Sequence, residues 1–122
     1  MAYSKLLKVV KQLGTRTSEG SVAWEETGKE GVFQASFPNY SVRISRSWHD
    51  FEESYDYYLR LYNQNGSVIE EVTQAGLAGP DLSGPEAYQL LEELYEGARR
   101  KAMGVDQALD TILDNLDDDV KF

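Results

Sequence analysis

The run Tyr55–Thr73, YDYYLRLYNQNGSVIEEVT, limits the possible folds of this chain more than any other stretch. Two strand-forming segments flank Asn63-Gln64-Asn65-Gly66, and Asn-Gly between such segments is the strongest short-range hairpin signal. Alternation sends Tyr57, Leu59 and Leu61 to one face and Tyr58, Arg60 and Tyr62 to the other. A hairpin with one apolar face needs further strands beside it and helices over that face.

The preceding residues supply the strands. Ser21–Thr27 turns Val22 and Trp24 inward, and Gly28–Gly31 reverses the chain. Val32–Phe37 turns Phe33, Ala35 and Phe37 inward, and Pro38-Asn39 reverses it again. Tyr40–Ser47 directs Val42 and Ile44 inward and Ser41, Arg43 and Ser45 outward. Short strands joined by tight turns predict an antiparallel meander of four to five strands. Trp48–Glu53 reads as a loop whose Trp48 and Phe51 close the end of the core, with a binding loop as the alternative.

Helices flank the meander. Residues 3–13 place Leu6, Leu7, Val9, Val10 and Leu13 at helical spacing, with Gly14 or Gly20 as the stop. A basic amphipathic helix can bind membranes or a calmodulin-like protein, but so short a stripe favours packing on the sheet. Gln74–Pro85 is rich in Gly and Pro and reads as a connection without helix. Pro85 and Glu86 open a helix capped by Gly84 or Ser83, with Ala87, Leu90, Leu91, Leu94, Tyr95, Ala98 and Ala102 as its stripe. Glu96 can pair with Arg99 and Arg100, and basic residues at the end suit the helix dipole. Gly104 breaks it, and Asp106 caps a last helix running to about Leu116 on Leu109, Ile112, Leu113 and Leu116. The expected fold is α+β in a single domain spanning residues 1–122: an N-terminal helix, the meander and two C-terminal helices. Its expected core is Leu6, Val10, Trp24, Phe33, Val42, Ile44, Leu59, Leu61, Leu91, Leu94 and Leu113.

At 122 residues the chain can bury a core without a metal or disulfide staple. It has no cysteine, which removes disulfides and thiolate chemistry and suits a reducing cytoplasm. The N-terminus has a lysine every third residue, so it reads as neither a signal peptide nor a membrane span. Asn39-Tyr-Ser41 and Asn65-Gly-Ser67 match the glycosylation pattern and read as turns. Net charge is −9, but Lys5, Lys8, Lys11 and Arg16 make the first 16 residues +4 and leave −13 for the rest. An acidic body argues against nucleic acid and anionic membrane as partners and favours a cationic one.

Catalytic chemistry is sparse. His49 is the one histidine, and on an extended strand its side chain diverges from Asp50, so the two do not form a dyad. There is no HExxH, EF-hand loop, P-loop or GxGxxG, and no cofactor or metal is expected. Glu25-Glu26, Glu52-Glu53, Glu70-Glu71 and Glu92-Glu93 are adjacent acids. A carboxylate-dependent hydrolase or sugar-active enzyme, the alternative function, would need the fold to bring two acids together.

Two surfaces suit a protein partner or self-association. Arg43, Tyr58, Arg60 and Tyr62, with Ser41 and Gln34 beside them, compose an arginine and tyrosine patch of the kind enriched at interface hot spots. Covering of that face by the C-terminal helices is the favoured alternative, because three helices are many for one side of a five-stranded sheet. Asp106, Asp110, Asp114 and Asp118 recur every four residues and line one helical ridge, with Asp117 and Asp119 near its end. The plainer reading of the ridge is a solvated face. The functional one is a surface for a basic partner, such as Lys5, Lys8 and Lys11 of a second copy or Arg99–Lys101 of the same chain. Divalent-cation binding is a lesser option, because carboxylates spread along a helix close no oxygen cage.

The first helix leading into GSVAWEET, the meander with YYLRLYNQNGSVIEE, and the closing LLEELYEGARRKAMGVDQALDTIL together resemble a class of small bacterial α+β proteins with no assigned activity. The resemblance covers most of the chain through structural motifs and carries no site residue across. It implies a bacterial cytoplasmic accessory protein acting beside a larger partner; with no catalytic motif in the chain, the expected function is a non-catalytic protein-interaction module.

Overall fold

The Asn63 side chain sets the central hairpin. Its Oδ1 accepts from the backbone N–H of Asn65 and of Ser67, each at 3.0 Å. Gly66 N–H donates to the Asn63 carbonyl, and Gly66 sits at φ +83°, where a side chain would be strained. In this computed structural model, which describes residues 2–119 and the side chains of residues 5–117, that turn joins β4 (Ser54–Asn63) to β5 (Val68–Thr73). Before them come β1 (Glu25–Glu26), β2 (Phe33–Phe37) and β3 (Tyr40–His49). The five strands form one antiparallel sheet in chain order, as expected, with a bulge at Ile69 of β5 opposite the Leu61–Tyr62 step of β4.

One face of the sheet carries Phe33, Ala35, Val42, Ile44, Tyr57, Leu59 and Val72, all buried. Helices α1 (Ala2–Ser18) and α3 (Gly84–Ala102) cover it with Val10, Leu13, Ala87, Leu91, Leu94, Tyr95 and Ala98. Each large apolar side chain buried there contributes roughly 1.5–3 kcal/mol before conformational entropy is subtracted. The two helices meet closely at Gly97, where an added Cβ would lie 2.7 Å from the Thr17 methyl. Thr17 is buried, and its hydroxyl accepts from Trp24 Nε1 at 2.9 Å.

Helix ends follow local chemistry. α1 runs through Gly14 and stops at Gly20, whose φ of +79° lets Ser21 N–H reach back to the Arg16 carbonyl. Ser83 caps α3 in a full capping box with Glu86. Bonds from Ser83, first from its side chain and then from its backbone, hold the Glu86 carboxyl below the usual carboxylate range. Gly104, at φ +64°, separates α3 from α4 (Val105–Asp119), so Asp106 lies in the first turn and does not cap it.

Several expectations need correction. Leu113 is not core: it is 57 % exposed, because α4 leaves the sheet. Phe37 is exposed at the β2–β3 turn, beyond the reach of the helices. The Gln74–Pro85 segment holds a one-turn helix, α2 (Gln74–Leu77), capped by the Thr73 hydroxyl, and Leu77 and Leu82 enter the core. The Gln74 side chain takes over where β5 ends, accepting Tyr57 N–H at 2.9 Å and donating to Asp56 at 3.0 Å. Trp48 and His49 belong to β3, and Phe51 is 97 % exposed, so the turn after them closes nothing. Of the first expected strand only Glu25–Glu26 pairs, although Val22 and Trp24 are buried as expected.

Candidate interaction surfaces

The outward face of the sheet gathers Arg43, Tyr58, Arg60 and Tyr62, as alternation requires. Strand register sets Glu25, Gln34, Arg43, Arg60 and Glu71 opposite one another in a row across all five strands. Two arginines face each other at its centre, a pairing that repels unless each is engaged elsewhere. Each is. Arg43 Nε donates to Gln34 Oε1 at 2.7 Å, and its guanidinium lies 5.1 Å from the Tyr62 ring centre. Arg60 Nε donates to Glu71 Oε2 at 2.6 Å and stands 5.2 Å from the Tyr58 ring. α1 and α3 lie on the other side of the sheet and α4 departs from it, so the favoured expectation that helices cover this face is corrected. The four residues are half-buried among themselves.

α4 presents the second surface. Leu109, Ile112, Leu113 and Leu116 are all exposed, spaced i, i+3, i+4 and i+7, and so form a single stripe. α4 makes its tertiary contacts with α3. Arg100 of α3 donates to Asp106 at 2.7 Å, tying the first acid of the ridge to its own chain. Asp110, Asp114 and Asp117 are exposed and make no ion pair among the described residues. The Asp118 and Asp119 side chains lie outside the described residues. At 3.6 residues per turn the acids run along one flank of the stripe, while Ala108 and Asn115 occupy the other.

A third surface had no advance signal as a unit. Between α1 and the β2–β3 end of the sheet runs an open groove of about 430 Å³, walled by Val9, Leu13, Phe37, Tyr40, Val42 and Leu61. Gln12 and Arg16 are the polar side chains of its α1 wall. Val9, Phe37 and Tyr40 are about half exposed there.

Sequence reasoning also missed Arg46. Alternation on β3 sends it inward with Val42 and Ile44, so parity was the available signal. Its guanidinium stacks between the rings of Tyr55 (4.0 Å) and Tyr95 (4.5 Å) and lies 3.5 Å from Glu96. Glu96 is shared with Arg99 at 3.1 Å, as expected, whereas Arg100 turns to Asp106. Tyr57 contacts Tyr88 and Tyr95 edge-on or tilted, and burial pushes the phenols of Tyr57 and Tyr95 above their usual value. Arg46 thus closes the open end of the core, with its aliphatic stem inside and its charge neutralised at the rim.

His49 is exposed at the end of β3, opposite Ser54, and no hydrogen bond joins it to Asp50 among the described residues. The four adjacent acid pairs are all exposed. Among the described residues no helix is long and apolar enough to cross a membrane. Neither a protein-family model, nor a curated protein, nor a solved structure matches this chain.

Proposed function

We propose that this chain is a non-catalytic protein-interaction module that docks through α4. One observation carries the reading: four large apolar side chains sit at helix-in-groove spacing on a helix that has left its own core. A soluble domain gains nothing by holding such a stripe in water, since each residue forfeits the burial energy it would gain in contact. The acid flank makes the isolated helix worse, because like charges at i, i+4 destabilise by roughly 0.2–0.5 kcal/mol per pair. Both features become favourable once a groove with a basic edge receives the helix. The sheet patch is the weaker candidate, because its arginines are already engaged by Gln34, Glu71 and the tyrosines.

A photo-crosslinking residue in place of Ile112, introduced into the full chain in its native cell, tests this. The expected result is a discrete adduct that disappears when Leu113→Glu is added. The same crosslinker at Gln107, on the polar side of α4, gives none. Equal, diffuse labelling from both positions would contradict the reading.

A further inference from the structure

Resting on α4 as the docking element, we infer that its partner is a second copy of this chain, and that α4 of each copy lies in the α1-edge groove of the other. Donor helix and acceptor groove are asymmetric in matching ways. The stripe of α4 spans Leu109 to Leu116, about 10 Å along the axis, and the α1 wall of the groove spans Val9 to Arg16, also about 10 Å. The stripe therefore matches the length of its seat. On α1, Val9, Gln12 and Arg16 line the groove on one ridge, so its apolar wall ends on a cation, and Lys5 continues that ridge one turn beyond the groove. The facing wall, Phe37 and Tyr40, is uncharged. α4 shows the mirror distribution, with Asp110, Asp114 and Asp117 on one flank of the stripe and Ala108 and Asn115 on the other.

Seating the stripe with its acid flank toward α1 pairs charge with charge and neutral with neutral. The reverse orientation would set carboxylates over Phe37 and Tyr40 and leave Arg16 with only its exposed 3.9 Å pairing to Glu19. One orientation is thus selected by charge and the contact itself by burial. The groove lies on the side of α1 away from α3, whose contacts fall at Gly14 and Thr17. Donor helix and acceptor groove therefore occupy different parts of the surface, and a reciprocal exchange between two copies uses both and closes.

Sedimentation of the full chain tests the exchange. The wild type is expected to be a dimer that weakens as salt rises. Leu113→Glu, in the donor, and Val9→Glu, in the acceptor, each place a charge in the contact and should raise the dissociation constant about tenfold or more. Both positions are exposed, so circular dichroism should show the fold unchanged; Tyr40→Glu serves as a second acceptor variant. The decisive result is the mixture: Leu113→Glu retains an intact groove and Val9→Glu an intact helix, so together they should form a one-to-one pair that neither forms alone. A wild-type chain that stays monomeric at every concentration would overturn the exchange. So would a Leu113-dependent dimer insensitive to both Val9→Glu and Tyr40→Glu, since α4 would then meet another surface. If the Ile112 adduct in cells still forms with a different protein, docking through α4 stands and only the identity of the partner is lost.

Discussion

At the scale of single residues, the interior is held by small, specific fits. Gly97 is one. Alanine in its place would gain about 1 kcal/mol of helix propensity, but its methyl would meet the Thr17 methyl at 2.7 Å. Thr17 cannot turn aside freely, because its hydroxyl holds the buried Trp24 indole. Overpacking costs roughly 1–3 kcal/mol, so Gly97→Ala should destabilise in urea unfolding. Thr17→Ser keeps the hydroxyl and removes the methyl, so the double variant should recover the loss. Strict additivity of the two changes would show that the contact is not tight. These residues also mark how far sequence carries. Alternation placed Tyr57, Leu59, Val42 and Ile44 inward and Arg43, Tyr58, Arg60 and Tyr62 outward, because a strand's period is two and each run was long. The same rule puts Arg46 inward, yet its seat depends on Tyr95, 49 positions further along the chain, and no local pattern reports that.

Among the elements, α3 and α4 are opposites. α3 has a capping box, acids first and bases last, and a buried stripe. Ser83→Ala should cost about 1 kcal/mol by thermal or urea unfolding. The loss carries a pH signature, because Ser83 lowers the pKa of Glu86 in the folded state. A depressed carboxylate stabilises above its unfolded value and ceases to do so as pH falls through its folded value. The gap between wild type and Ser83→Ala is therefore widest near neutrality and narrows in the acid range; a gap independent of pH would separate Glu86 from the cap. α4 was legible as a helix with its correct stripe, but not as a projecting one. Amphipathic spacing states that a face is to be buried and is silent about which molecule buries it, which is why Leu113 was assigned to the core. The short helix α2 was missed for a different reason: Gly and Pro around QAGL signal a connection, and Thr73 capping over one turn leaves no periodicity to detect.

Across the whole molecule, charge and shape divide the chain into a compact α/sheet body and an acidic arm. The basic first 16 residues and the acidic last helix were visible as a composition contrast, whereas the groove beside α1 was not, because it arises only when Val9, Phe37, Tyr40 and Leu61 converge from four elements. A 15-residue helix with an acid flank and no fully buried side chain among its described residues is marginal on its own. Its stability should therefore come from the partner. Amide hydrogen exchange of the full chain, compared between dilute and concentrated protein, tests this most directly. Residues 105–117 should exchange quickly when dilute and gain protection on concentration, together with the groove segments around Val9 and residues 37–40, while β3 and β4 stay protected throughout. An α4 equally protected at both concentrations, or protected without any change at the groove, would contradict it.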